Sequence, residues 1–131
     1  MTERVIALIV THNRLNYLKR CLSYIENQDR DVEQILVINN ASTDASFRLI
    51  KECSIKYLNL KNNKCVGYAL MICFLYAKKY YFNFLVHLAW NGNMNPSQID
   101  IFFELILSNE YDFVSGSRLL DGSSKKNNPL I

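Results

Sequence analysis

The six residues VIALIV, Val5 to Val10, form an unbroken apolar run rich in β-branched side chains. Such a run suits a strand covered on both faces rather than one with a wet side. Strands buried on both faces belong to parallel sheets, and parallel neighbours need a crossover, normally a helix, between them. The chain that follows has to alternate, and it does.

The polar turn THNR ends the first strand, and Leu15, Leu18, Cys21, Leu22 and Ile25 then recur at helical spacing, predicting a helix over residues ~14–27. QILVIN reads as a second buried strand. NASTDAS is a turn rich in capping residues, with Thr43 or Asp44 placed to accept the first free amides of a helix over ~44–53. IKYLNL predicts a third strand, and the loop KNNKCVG feeds an apolar helix running to about Tyr80. FNFLVHLA predicts a fourth strand. Pro96 favours the first turn of a helix that Ile99, Phe102, Phe103 and Ile106 carry to about Asn109. YDFVSGSR predicts a fifth strand, and residues 119–131 read as a flexible polar tail behind a domain of residues 1–118. The order implies an α/β fold, a mainly parallel, doubly wound, Rossmann-like sheet with helices on both faces.

At 131 residues with a formal charge of +3, the chain suits one domain, and its basic residues pair at most two by two. Nucleic-acid binding is therefore not indicated. The four cysteines show no C-x-x-C spacing and are expected to be reduced. The longest apolar stretch, YALMICFLYA, is half of the ~20 residues of a membrane span and reads as a core helix. The expected location is cytoplasmic, at most peripheral at a membrane face.

Ligands of such sheets lie beyond the carboxyl ends of the strands, which singles out THNR, NNASTD, AWNGN and SGSR. Neither a G-x-G-x-x-G nor a P-loop pattern occurs, so a phosphate has to be met by these turns. His12 reads equally as a ligand contact or an exposed turn residue. His87, inside an apolar strand, reads as a hydrogen-bonded structural histidine. Trp90 suits either a base stack or helix packing.

In register, VIALIVTHNRLNYLKRCLSYIENQ, ILVINNASTDAS, FLVHLAWNGNMNPSQI and YDFVSGSR closely resemble the nucleotide-binding half of family 2 glycosyltransferases with the GT-A fold. The nearest flavour is the polyprenyl-phosphate sugar transferases. The resemblance implies a truncated GT-A fold that binds a nucleoside-diphosphate sugar through Thr11, His12, Asn13 and Arg14, through Asn39, Asn40 and Ser42, and through Asn91 and Arg118. It implies inverting transfer with a nucleoside diphosphate as leaving group.

Two departures bear on activity. The family's D-x-D carboxylates, which hold Mg²⁺ or Mn²⁺, correspond to Ala89, Trp90 and Asn91, so metal ligands are expected to be absent. The family's catalytic base lies further along, in the half that builds the acceptor site, and Asp121 shows no sign of replacing it. Two readings stay open: a transferase domain completed by another segment or partner chain, and a degenerate, catalytically inactive binding or scaffold module. The two departures favour the second for this chain alone. An apolar face left uncovered by the missing half would promote self-association.

Overall fold

The computed structural model describes residues 3–27, 30–89 and 98–115. Four strands, β1 (Val5–Thr11), β2 (Gln34–Asn39), β3 (Lys56–Asn59) and β4 (Phe84–Ala89), form one parallel sheet in the order β3-β2-β1-β4. The helices α1 (Leu15–Glu26), α2 (Ser46–Glu52) and α3 (Val66–Lys79) make the crossovers. The expected α/β, GT-A-like architecture is present. β1 lies in the middle, buried at every position from Val5 to Thr11.

Alternation along the strands sorts the core into two layers. Ile6, Leu8, Val10, Leu36 and Ile38 pack with Ala69, Cys73 and Ala77 of α3. The small residues of α3 let that helix lie close to the sheet. The alternate set, Val5, Ala7, Ile9 and Val37, faces the layer of α1 and α2, whose buried residues are Leu18, Cys21, Leu22, Ile25 and Ile50. The helical spacing read from the sequence is thus the buried stripe of α1. All four cysteines are free thiols, and burial pushes those of Cys21 and Cys73 up to about 11, as expected of thiols acting as small hydrophobes.

The amino-terminal edge is closed by Arg4. Its guanidinium pairs with Glu33 at 2.7 Å and donates to the Tyr80 carbonyl at 2.6 Å, and it lies 4.6 Å from the centre of the Phe82 ring. Asn83 exchanges two bonds of 2.9 Å with the Arg4 backbone, fixing the approach of β4.

A second compact unit begins at Gln98. Its helix α4 (Ile99–Leu107) buries Ile99 and Phe103, one turn apart, and carries Asp100 in its first turn, where the helix dipole favours a carboxylate. The expected start at Pro96 lies outside the described residues. The fifth strand is corrected by the structure: residues 111–115 form none. A strand persists only when its backbone pairs with a neighbour, and here Phe113 stands 81% exposed without a ladder partner among the described residues.

His87 pairs in register with Leu8 and is half-buried. No hydrogen bond reaches its ring among the described residues, which corrects the hydrogen-bonded role expected of it. Burial lowers its pKa from the usual 6.5. The unfolded chain therefore takes up the proton first, and stability that is complete above pH 6.5 falls as the pH drops through the window beneath it. Urea midpoints measured from pH 7.5 to 5 should decline less steeply in His87→Gln than in the parent. In the core, Leu8→Ala should cost about 2–5 kcal/mol by the same assay, since it leaves a cavity between the central strand and α3.

Candidate functional site

Three adjacent strands end in Thr11, Asn39 and Asn59, matched in register and on one face of the sheet. Polar residues at this row mean that the core stops here and a polar edge begins. Thr11 is fully buried, and its hydroxyl has no hydrogen-bond partner among the described residues. Asn39 is 1% exposed, donates to the Asn59 side-chain oxygen at 2.6 Å and accepts from the Ser42 backbone at 3.3 Å. The ladder continues one step past the strands, as the Asn40 and Leu60 amides donate to the carbonyls of Thr11 and Asn39 at 2.8 and 2.9 Å.

Asn40 clamps the loop after β3. Its amide nitrogen donates to the Lys64 carbonyl at 2.5 Å, and its oxygen accepts the Lys64 N–H at 2.8 Å. A carboxylate in its place could make only the second of these bonds. The two adjacent amides of β2 therefore hold separate neighbours, Asn39 the β3 edge and Asn40 the loop leading into α3.

The turn after β1 is locked to the turn after β2 by Asn13. Its backbone takes a left-handed conformation, φ 50°, which asparagine tolerates better than most residues. That turn lets its side-chain oxygen accept from the Thr43 N–H at 2.6 Å, the Thr43 hydroxyl at 3.3 Å and the Asp44 N–H at 3.2 Å. Its own N–H donates to the Ser42 hydroxyl at 3.1 Å. Ala41 holds a second left-handed position, φ 58°, between the amide pair and Ser42.

Asp44 joins the amino ends of two helices. One carboxylate oxygen accepts the Ser46 N–H at 2.9 Å as α2 begins, and the other accepts the Leu15 N–H at 3.3 Å as α1 begins. Asp44 accepts the first free amide of α2 as expected, but from one position outside the N-cap, which is Ala45 and makes no side-chain cap bond, so the helix starts at Ser46 rather than 44. Desolvation pushes its carboxyl up, but hydrogen bonds from the Ser46 and Leu15 amides outweigh this and hold it below the usual 3.8.

His12 lies where the three turns meet. Its Nδ1 is 2.8 Å from the Asn40 carbonyl, so Nδ1 carries the proton and Nε2 presents a lone pair. That lone pair faces the amide nitrogens of Asn13 at 3.4 Å and Asn63 at 3.3 Å. Both distances are long for hydrogen bonds, so Nε2 is only weakly engaged. Next to it Arg14 is exposed, with its guanidinium 5.9 Å from the centre of the Tyr17 ring and no carboxylate partner among the described residues.

The structure thus brings together Thr11, His12, Asn13, Arg14, Asn39, Asn40 and Ser42. Asn91, Trp90 and Arg118 lie outside the described residues, and Ala89 ends β4 opposite Val10. Asn59, Asn63 and Lys64 also belong to this edge and were missed; the asparagine-rich loop KNNK was the signal for the last two. A shallow hollow lined by Val32, Gln34, Ser54 and Lys56 lies at the opposite edge and contains none of these residues.

Asp44→Ala should lower stability by about 1 kcal/mol through loss of its bonds to the Leu15 and Ser46 amides. Because the folded carboxyl titrates below 3.8, its contribution is complete above that pH and disappears as the pH falls through the folded value. Asp44→Asn should accordingly flatten the acid limb of a stability-versus-pH curve below about pH 4. Asn13→Ala, which strips the acceptor from two backbone amides and a hydroxyl, should cost about 1–3 kcal/mol by denaturant titration.

Comparison with known proteins adds three findings. The family described as glycosyl transferase family 2 matches residues 6–130. No curated protein matches the chain. Among solved structures, S. aureus TarS 1–349 superposes with a TM-score of 0.64 at 16% identity, covering 80% of this chain and 32% of that one. The same protein in complex with UDP-GlcNAc gives a TM-score of 0.61 at 15% identity, with 80% and 31% covered. At these identities the likeness shows the fold, and the chain spans about a third of those structures.

Proposed function

The chain belongs to glycosyl transferase family 2, and from that premise we propose that it binds a nucleoside-diphosphate sugar at the carboxyl edge of its sheet. The observation that carries this reading is the meeting of the turns after β1, β2 and β3 around His12, beside a guanidinium, that of Arg14, with no carboxylate partner among the described residues. The complex of TarS with UDP-GlcNAc, on the same fold, supports the choice of ligand class.

Each residue then has a part. Arg14 meets the diphosphate through charge-assisted hydrogen bonds, the interaction for which a planar guanidinium is suited. His12 and the Asn13 amide meet base or ribose. A lone pair at Nε2 selects a donor there, an imide N–H or a hydroxyl, and disfavours a phosphate oxygen. Thr11, fully buried at the end of β1, has a hydroxyl without a partner among the described residues. Asn39, Asn40 and Ser42 hold the turns in place and line the same edge. Asn91 and Arg118 are assigned to the site by family position alone.

The family's cation does not fit the residues present. Ala89, Trp90 and Asn91 offer a methyl, an indole and one amide where two carboxylates would be needed to hold a divalent ion against a leaving diphosphate. No metal-assisted step is therefore assigned to this chain. Transfer with inversion requires an acceptor site and a base from a further segment or a partner chain in the cytoplasm. The second reading, a binding module that keeps the crevice and acts through a partner, is favoured by the sequence, which has Ala89, with no ligand atom, at the first position of the family's carboxylate pair.

The test is thermal unfolding against UDP-, GDP- and TDP-sugars, each with and without Mn²⁺. A sugar nucleotide at about 100 times its Kd should add about 2.7 kcal/mol. The expected result is stabilisation that does not need Mn²⁺. Stabilisation that requires the metal would restore the metal-assisted part of the transferase chemistry, and no shift with any ligand would remove the binding reading. Arg14→Ala should weaken affinity for the stabilising nucleotide by about 1.5–3 kcal/mol, and unchanged affinity would take Arg14 out of the site.

A further inference from the structure

The outward face of α3 is apolar where a surface helix is normally polar. Ala69, Cys73 and Ala77 turn to the sheet, while Met71, Phe74 and Leu75 stand 49%, 55% and 59% exposed. Tyr68 extends the stripe towards one end, and Tyr81, 82% exposed, stands just past the other. The stripe is bracketed by charge of one sign. Lys61 and Lys64 precede the helix, and Lys78 and Lys79 close it, with Lys78 one turn beyond Phe74 and Lys79 one turn beyond Leu75. Between Glu52 and Asp100 the sequence contains five lysines and no acidic residue.

We propose that this face of α3 docks on an anionic lipid surface. The chemistry favours that occupant over others. The stripe is a convex ridge on a 14-residue helix, not a groove, and its large side chains are of the kind that enter the boundary between headgroups and acyl chains. Tyrosines at its margins have an apolar ring and a polar tip, which suits the interface. Lysines at both ends are placed to meet lipid phosphates while their stems lie along the apolar stripe. A second copy fits poorly, because antiparallel pairing of two such helices would bring Lys78 and Lys79 of one towards Lys64 of the other. No helix among the described residues is long and apolar enough to cross a membrane, so the contact lies in the plane of the surface.

The docking does not depend on nucleotide binding and is tested apart from it. The purified chain is sedimented with vesicles of phosphatidylcholine alone and of phosphatidylcholine enriched in phosphatidylglycerol. Binding to the second and not the first is expected. Lys78→Glu with Lys79→Glu should weaken it more than about twentyfold, since each lysine near such a surface contributes roughly fivefold. Phe74→Ser with Leu75→Ser should weaken it as well, and because all four side chains are exposed, both variants should stay folded, the glutamate pair unfolding slightly earlier because it sets carboxylates at the carboxyl end of α3. The proposal is overturned if phosphatidylglycerol vesicles do not bind, or if either folded variant binds as the parent does. It is also overturned if the parent dimerises without lipid and Phe74→Ser with Leu75→Ser abolishes the dimer, which would make a second copy the occupant. Equal binding to polyglutamate by the parent and the serine variant would identify an acidic protein partner and overturn it too.

Discussion

Everything in the main unit is arranged around a strand that no water touches. β1 is buried on both faces and pairs with β2 on one edge and β4 on the other, so its backbone is satisfied by two neighbours and its side chains by two helical layers. A strand in that position cannot alternate polar and apolar residues, and VIALIV does not. The polar residues Thr11 to Arg14 appear only where the strand leaves the core. The same constraint that makes the sequence apolar for six residues therefore places the first polar side chains at the carboxyl edge, where the functional turn lies.

That edge shows how a polar cluster can be both scaffold and site. Asn39, Asn40 and Asn13 use their amides on Asn59, Lys64 and the 43–44 backbone, and Asp44 uses both carboxylate oxygens on two helix starts. Buried or half-buried polar groups are tolerated when their partners are fixed. What remains under-used among the described residues is small: a guanidinium, the far nitrogen of one imidazole and the buried hydroxyls of Thr11 and Ser46. A ligand meeting those groups would find turns already held in place, which lowers the ordering cost of binding.

The fold was legible because hydrophobic pattern and topology agree. The buried stripe of α1 and the apolar strands could be read residue by residue, and the alternation of strand and helix led to the parallel order. Less was legible at the ends of elements. YDFVSGSR has the composition of a strand, but composition does not supply a pairing neighbour, and Phe113 is left in water. His87 reads from its sequence neighbours as a residue needing a hydrogen bond, whereas the structure gives it only partial burial. In the site, the family pattern located Asn13, Asn39 and Asn40 but could not separate ligand contact from internal support, since an amide serves either. Asn63 and Lys64 were missed because the residues that reach them, His12 and Asn40, lie far away in the chain.

The strand order also governs how the chain assembles. Each strand pair is parallel and separated by a helix, so no hairpin can form first and hold a template for the rest. β1 leaves the ribosome before either neighbour exists, and closure against β4 waits for a residue 79 positions on, where Arg4 meets Asn83. Non-local pairing of this kind slows folding. During synthesis the most apolar segment of the chain is thus the one that stays unpaired longest on one side, and the growing chain depends on α1 and β2 to shield it in the meantime.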